Sequence, residues 1–316
     1  MILNKLHIHL AGPRGFCAGV DRAILMVEEA LKKYGAPIYV RHEIVHNKYV
    51  VEDLKNKGAI FIDELNEISD FSRPAIFSAH GVPKSVPKEA KNLNLQFFDA
   101  TCPLVSKIHR EVENFEKLQV PIILIGHRNH PEVIGTMGQV NSLIYLIEKK
   151  EDLEMLPFNE EQKIAYVTQT TLSVDDTRSI IKAIKKKFKN VIEPRKNDIC
   201  YATTNRQDAV KKISTKCDVF FVIGAKNSSN SLRLVEVAKL YGAKKSILLE
   251  NIEKFDEKIL DDVINIGITA SASAPEILVQ NFITKLKKKY AVVVHEQDYL
   301  SENVIFKIPQ HLKAVI

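Results

Sequence analysis

The sequence predicts an α/β protein of three similar α/β lobes with mainly parallel sheets, followed by a C-terminal tail. Two observations lead to this prediction. Segments with strand and helix periodicity alternate along the 316 residues, and one order of motifs occurs three times. Strands that alternate with helices form parallel sheets through crossover connections. We expect the lobes to surround a central site on a pseudo-threefold axis, because ligands bind at the carboxyl ends of strands in such sheets.

The alternation is clear in the first hundred residues. Apolar residues recur at helical spacing from Val20 to Tyr34, and Gly35 follows as a stop signal. Short strands are predicted at PIYV, AIFI and PAIFS. The segment NKYVVEDLKNKG is predicted to be a helix with Asn47 at its N-cap and Gly58 past its end.

A cysteine at the start of a predicted helix opens each repeat, at Cys17, Cys102 and Cys200. A polar loop after the next strand follows 29, 28 and 28 residues later, at His46, His130 and Ser228. A second polar loop follows 63, 68 and 73 residues after the cysteines, at His80, Thr170 and Ser273. These recurring spacings predict three copies of one α/β unit.

The repeat sets the predicted boundaries. The first lobe is residues 1–101 with an N-terminal strand, the second is 102–199, and the third is 200–285. The tail, residues 286–316, contains AVVV and NVIFKI, which we expect to pair as strands with the body.

Composition and charge exclude several classes of protein. The net charge of +6 comes largely from lysine runs late in helices, without the interleaved aromatic residues and arginines of a nucleic-acid surface. No apolar run approaches the length of a membrane span, and the N-terminus is too short and polar for a signal peptide. We expect a cytoplasmic monomer that binds neither nucleic acid nor membrane.

The four cysteines are too few for a disulfide framework. A helix N-terminus lowers the pKa of a thiol, and thiolate is the form that binds metal. Matching positions favour metal ligation by Cys17, Cys102 and Cys200, whereas Cys217 opens an apolar strand and is predicted to be core. Zinc and an iron–sulfur cluster both suit three thiolates, and three ligands leave one position open for a substrate.

The polar loops predict an anion site. Histidine, serine and asparagine side chains beside helix N-termini bind groups such as phosphate. Glu132 lies two residues after His130, at the start of a predicted helix. It is either a first-turn carboxylate that stabilises the helix dipole or a catalytic acid that works with the hydroxyl of Thr170. Six other histidines are predicted to be ordinary surface or core residues: His7, His9, His42, His109, His127 and His295.

Several long motifs carry a resemblance to a known family. They are PRGFCAGVDRA, YVRHEIVHNKYVVE, FSAHGV, DATCPLVSKIH, IGHRNHPEVIGTMGQ, TQTTLSVDDT, DICYATTNRQ, GAKNSSNSLRL and TASASAPE. In this order, over residues 10–285, they resemble the hydroxymethylbutenyl diphosphate reductase family. That family catalyses the last step of the methylerythritol phosphate route to isoprenoids.

The resemblance implies a reaction and a cofactor. The family converts 4-hydroxy-3-methylbut-2-enyl diphosphate to isopentenyl and dimethylallyl diphosphate by reductive dehydroxylation. It uses a 4Fe–4S cluster held by three cysteines, with the fourth iron open to the substrate hydroxyl. The matching ligands here are Cys17, Cys102 and Cys200. Single electrons come from ferredoxin or flavodoxin with its reductase.

The resemblance also implies roles for the loop residues. The diphosphate-binding positions are His46, His80, His130, Ser228, Ser229, Asn230 and Ser273, and Thr170 is a further substrate-binding position. Glu132 occupies the proton-donor position, with Thr170 in the relay. Ser271 stands where the family pattern has glycine, before Ser273.

Two other classes of protein use similar residues. A zinc hydrolase of phosphorylated substrates would also need cysteine, histidine and glutamate. An iron–sulfur sensor would hold the same cluster but would also need an element that binds nucleic acid or a partner protein, and the sequence offers no such element.

Overall fold

The structure is a computed structural model, and it describes residues 4–141, 143–298 and 300–313. Its strands are β1 Lys5–Gly12, β2 Ile38–Arg41, β3 Ala59–Ile62, β4 Ala75–Phe77, β5 Phe97–Asp99, β6 Ile122–Ile125, β7 Ile144–Ile147, β8 Lys163–Thr168, β9 Asn190–Ile192, β10 Val219–Ile223, β11 Lys245–Leu249, β12 Asn265–Ala270 and β13 Ala291–Asp298. Its α-helices are α1 Ala18–Tyr34, α2 Lys48–Asn56, α3 Ser85–Asn92, α4 Pro103–Lys117, α5 Pro131–Met137, α6 Val174–Lys187, α7 Tyr201–Ser214, α8 Ser229–Leu240 and α9 Glu276–Lys287.

The strands form three sheets. Sheet A has the order β11-β10-β12-β1-β13, sheet B has β3-β2-β4-β5, and sheet C has β7-β6-β8-β9. Every pair of neighbouring strands is parallel. The predicted three α/β lobes with parallel sheets are therefore confirmed. Their arrangement about a threefold axis and the predicted domain boundaries stay predictions.

The chain divides into two compact units. Unit 1 contains sheet A and consists of Met1–Ala18, His46–Val50 and Tyr201–Ile305. Unit 2 contains sheets B and C and consists of Gly19–Val45, Val51–Cys200 and Phe306–Ile316.

Every residue of β2, β4, β6 and β10 is buried, which explains the nearly continuous apolar sequences of these inner strands. In unit 1, α9 packs on one face of sheet A, and α7 and α8 pack on the other. In unit 2, α6 covers one face of sheet C, and α4 and α5 cover the other. Sheet B packs one face against α3. Cys217 lies in the core between sheet A and α7, only 3% exposed, so its prediction as a core residue is confirmed.

The sheets share one strand order, and this order reveals a shift in the repeat. The fourth position is β5 in sheet B and β9 in sheet C, but β1 in sheet A. Each of these strands leads to a cysteine, so the sheets provide Cys102, Cys200 and Cys17 respectively. Sheet A thus groups Cys17 with the loops of Ser228 and Ser273, which follow β10 and β12. The sequence spacing alone groups Cys17 with His46 and His80.

The tail is only partly as expected. AVVV begins β13, which pairs with β1 as predicted. The prediction of a strand at NVIFKI is wrong, because residues 303–308 form neither helix nor strand. Glu302, just before this segment, forms an ion pair with Arg206. Across the described ranges, no helix combines the length and apolar character that crossing a membrane requires.

Candidate functional site

The three cysteines each lie at the first turn of a helix. Cys102 is the N-cap residue of α4, while α1 and α7 begin at the residues directly after Cys17 and Cys200. All three are half-buried thiols without a disulfide bond. The prediction that a helix begins at each cysteine is confirmed, and the helix dipole favours the thiolate there.

The backbone of each cysteine is fixed to the second polar loop of its own sheet. The amide of Cys102 donates to the carbonyl of Ala79 at 2.9 Å, next to His80. The amide of Cys200 donates to the carbonyl of Thr170 at 3.0 Å. In unit 1, the amide of Cys17 donates to the carbonyl of Ala272 at 3.3 Å. These three equivalent contacts confirm the grouping of loops that the strand order gives.

Glu132 and Thr170 form a buried pair in unit 2. One carboxylate oxygen of Glu132 accepts from the backbone amide of Thr170 at 2.6 Å. The other accepts from the Thr170 hydroxyl at 2.9 Å. Glu132 is 3% exposed and Thr170 is 5% exposed. The carboxyl group is therefore held in one orientation at the end of β8.

The environment of Glu132 favours its protonated form. Burial raises the pKa of its carboxyl to about 7, against the two hydrogen bonds from Thr170, and the charge of Asp198 adds to the rise. A carboxyl with this pKa holds a proton in about half of the molecules at neutral pH. Glu132 thus fits a proton donor better than a first-turn carboxylate.

His80 and His130 lie together in the same unit. Their ring centroids are 6.0 Å apart in an edge-on arrangement. His130 is the N-cap of α5, and its Nδ1 accepts from the amide of Glu132 at 3.1 Å. A neutral imidazole that accepts at Nδ1 carries its proton on Nε2, so His130 presents a donor suited to an anion.

Two glycines bring these loops together. A Cβ on Gly135 in α5 would lie 3.0 Å from the backbone carbonyl atoms of Gly81. Gly81 has a positive φ of 84°, which favours glycine. Since Gly81 follows His80, this close contact places the His80 loop against the helix that carries Glu132.

The other predicted diphosphate ligands lie in unit 1. The Ser273 hydroxyl donates to the carbonyl of His46 at 3.0 Å. Asn227 Nδ2 lies 3.3 Å from His46 Nδ1. Ser271 Oγ is 3.3 Å from Ser273 Oγ, so the Ser271 hydroxyl contacts the predicted ligand directly.

The start of α8 carries the remaining predicted ligands. Ser228 is its N-cap, and its hydroxyl accepts from the amide of Ser231. Ser229 and Asn230 follow in the first turn, and Asn230 is 4% exposed. Neither the amide nitrogen nor the oxygen of the Asn230 side chain has a hydrogen-bond partner among the described residues. A buried amide without protein partners costs folding free energy, and such a group is suited to binding a ligand.

Within each unit, the predicted residues are thus brought together. Unit 2 joins His80, His130, Glu132 and Thr170, and unit 1 joins His46 with Ser273. In the part of the chain that the structure describes, no three His, Cys, Asp or Glu side chains are grouped so as to hold a metal ion.

Three cations follow the cysteines within the quoted motifs, but the sequence assigns them no role: Arg22, Lys107 and Arg206. Arg206 is 0% exposed and lies on the apolar face of α7, four residues after Ala202 and four before Val210. Besides its place in the motif DICYATTNRQ, the sequence signal that marks Arg206 is a charged residue at an apolar helical position.

Comparison with known proteins identifies the family. The family model described as LytB protein matches residues 8–287. The chain belongs to this family. Curated relatives named 4-hydroxy-3-methylbut-2-enyl diphosphate reductase cover nearly the whole chain. The protein of Methylocella silvestris is 51% identical over 310 residues, which are 98% of this chain and 97% of the relative. That of Roseobacter denitrificans is 52% identical over 314 residues, 99% of each chain.

Solved structures of the family agree. The E-1-hydroxy-2-methyl-but-2-enyl-4-diphosphate reductase of Plasmodium falciparum has a TM-score of 0.92 and 41% identity, covering 98% of this chain and 97% of that one. A second structure, of (E)-4-hydroxy-3-methyl-but-2-enyl diphosphate reductase, has a TM-score of 0.64 and 32% identity, covering 90% and 99%. The resemblance predicted from the motifs is confirmed.

Proposed function

We propose that this protein is a reductase that converts 4-hydroxy-3-methylbut-2-enyl diphosphate to isopentenyl and dimethylallyl diphosphate. The reaction removes an allylic hydroxyl as water and consumes two electrons and two protons. The observation that carries the proposal is the buried Glu132 with its pKa raised to about 7, in a chain whose full-length relatives bear that name. An acid that is protonated in about half of the molecules at neutral pH can supply the proton that the departing hydroxyl requires.

The three matched cysteines are the proposed ligands of a 4Fe–4S cluster with one iron open to the substrate. The donor set fits, because Cys17, Cys102 and Cys200 are half-buried thiols at helix N-termini. Burial raises the pKa of Cys217 to about 12, so that thiol is unsuited to ligation. When bound, the cluster would supply single electrons and Lewis-acid polarisation of the hydroxyl.

The polar loops bind and orient the diphosphate in this proposal. The groups involved are the side chains of His46, His80, His130, Ser228, Ser229, Asn230 and Ser273. His130 offers an Nε2 donor, and the amide of Asn230 gains the partners it lacks in the protein alone. Donors fixed by secondary structure bind a phosphate group without reorganising, which holds the allylic end of the substrate in one position.

Glu132 protonates the substrate hydroxyl, whose oxygen then leaves as water. Thr170 orients the Glu132 carboxyl. The hydroxyl of Thr170 is at hydrogen-bond distance from the carboxyl and can pass a proton to or from the substrate. The second proton is added to either end of the allylic system, which accounts for two product isomers.

Electrons reach the protein singly from ferredoxin or flavodoxin with its reductase, and we propose a cytoplasmic monomer. No nicotinamide is needed for such a reaction, in keeping with the lack of a glycine-rich dinucleotide motif in the sequence.

Anaerobic purification tests the proposal. Iron, sulfide and zinc are assayed in the purified protein, and turnover of the diphosphate is then measured with a chemical reductant. We expect iron and sulfide in equal amounts, no zinc, and formation of both products. Zinc without sulfide would identify a hydrolase. A cluster without turnover would identify a sensor.

A further inference from the structure

Each cysteine-bearing helix carries one cation within two turns of its cysteine. Arg22 lies in α1, Lys107 lies in α4, and Arg206 lies in α7. Each of them donates hydrogen bonds to the chain segment just ahead of a different cysteine.

Arg22, on the helix of Cys17, contacts the segment ahead of Cys102. Its Nη1 donates to the carbonyls of Ala100 and Thr101, both at 3.2 Å. Its Nε donates to the carbonyl of Lys307 in the tail at 3.1 Å. All of these groups belong to unit 2.

Lys107, on the helix of Cys102, contacts the segment ahead of Cys200. Its Nζ donates to the carbonyl of Lys196 at 2.6 Å and to a carboxylate oxygen of Asp198 at 2.8 Å. The Asp198 side chain is 0% exposed, and its other oxygen accepts from the amide of Thr168 at 2.9 Å. The segment is thereby fixed both to α4 and to the end of β8.

Arg206, on the helix of Cys200, contacts the segment ahead of Cys17. Its Nη2 donates to the carbonyls of Gly15 and Phe16 at 2.7 and 3.2 Å, and its Nε donates to Gly15 at 3.1 Å. Glu302 of the tail balances the charge, at 3.0 Å from Nη1. All of these groups belong to unit 1.

We propose that these cations are positioning residues, each of which holds the next cysteine in a closed cycle: Arg22 holds Cys102, Lys107 holds Cys200, and Arg206 holds Cys17. Arg22 and Lys107 are five positions after their own cysteine and Arg206 is six, which places each cation in the second turn of its helix. A cation that donates to two acceptors in an irregular segment restricts that segment, because charge-assisted hydrogen bonds are stronger than neutral ones. The inference that this restraint slows the loss of a bound cluster rests on the proposed function, whereas the contacts themselves do not.

Hydrogen exchange in the anaerobically purified protein tests the cycle. The variants are Arg22→Met, Lys107→Met and Arg206→Met. The amides that report are those of the three cysteines, which are hydrogen-bonded in the wild type. We expect about tenfold faster exchange of Cys102, Cys200 and Cys17 respectively, with the other two cysteine amides little changed.

Arg73→Met is the matched control. Arg73 also donates to two backbone carbonyls, of Tyr34 and Ala36, but it contacts no segment ahead of a cysteine. Its loss should leave all three cysteine amides unchanged. Arg206→Lys serves if Arg206→Met does not fold. Lysine keeps the positive charge but lacks the several N–H donors of the planar guanidinium, so the amide of Cys17 should still exchange faster than in the wild type.

The cycle also predicts faster loss of iron. In each of the three variants, a chelator should remove iron about tenfold faster than from the wild type or from Arg73→Met. The proposal is overturned if each variant loosens all three segments equally, if the loosened amide is that of its own helix, or if exchange does not change. A wild-type protein without iron and sulfide would refute the proposed function alone, since the exchange pattern does not depend on it.

Discussion

Two buried polar groups of the candidate site, the side chains of Glu132 and Asn230, differ in how the protein satisfies their hydrogen bonds. In unit 2, both oxygens of the Glu132 carboxyl accept hydrogen bonds from Thr170. In unit 1, the Asn230 side chain is equally buried, but its amide nitrogen and oxygen have no partner among the described residues.

The difference indicates two kinds of task. A group that takes part in proton transfer must have its orientation and pKa set before the substrate arrives. A group that only binds substrate can be left without protein partners, because the ligand provides those partners when it binds. Without the ligand, the unpaired group lowers the stability of the protein. Glu132 is therefore expected to control turnover, and Asn230 to control affinity.

The largest effect is expected for Glu132→Gln. Glutamine fills the same space but cannot release a proton, so kcat should fall about 100-fold or more. Iron and sulfide content, measured in the same preparation, should equal the wild-type content. A Glu132→Gln variant with near-normal turnover would contradict the donor role.

The pH dependence of stability should reveal the same carboxyl. Because burial raises its folded-state pKa above 4.5 to about 7, its contribution is fully present below pH 4.5 and is lost as the pH rises through 7. Relative to Glu132→Gln, the wild type should lose roughly 3 kcal/mol of unfolding free energy between these limits. Chemical denaturation of both proteins at pH 4.5 and 8 measures this. A constant difference would mean that the carboxyl is not held protonated.

Thr170→Val should have an intermediate effect. The Thr170 hydroxyl favours the carboxylate, so its removal raises the pKa of Glu132 further and shifts the falling limb of the pH–kcat profile to higher pH. At neutral pH, kcat should fall about tenfold because the proton relay is lost. Thr177→Val, another buried threonine of unit 2, should leave the profile unchanged. A limb that moves to lower pH would be inconsistent with this pair.

Asn230→Ala should have the smallest effect on turnover. KM should rise about fivefold with kcat nearly unchanged, since one hydrogen-bonding group to the substrate is lost. Thermal stability should not fall, because no protein hydrogen bond is removed. Asn47→Ala is the matched control for stability, since Asn47 is equally buried but accepts from the amide of Val50 as a helix cap. Its melting temperature should fall. Equal losses in the two variants would show that the Asn230 amide has a partner.

Much of the fold follows from local sequence patterns. Periodicity, Asn47 as a cap and Gly35 as a stop give the first helices, because these signals act within a few residues. The place of β1 in sheet A does not follow, since its apolar alternation fits any sheet and its neighbours β12 and β13 are more than 250 residues away. The wrong strand at residues 303–308 has the same cause: an apolar pattern does not specify a pairing partner.

The site is predictable to a similar extent. The repeat and the family motifs single out Glu132, Thr170 and the cysteines by position. Neither reveals that burial sets the pKa of Glu132, which depends on how α5 packs against the end of β8. Lys107 and Asp198 pair across 91 positions, so no local signal connects them.

The iron and sulfide content of four single variants, Cys17→Ala, Cys102→Ala, Cys200→Ala and Cys217→Ala, tests the central claim most directly. Each protein is purified anaerobically in the same way and compared with the wild type. We predict that the first three lose most of their iron and sulfide, while Cys217→Ala keeps the wild-type content. A fall in iron on loss of Cys217, or full iron content after loss of any of the other three, would contradict the account.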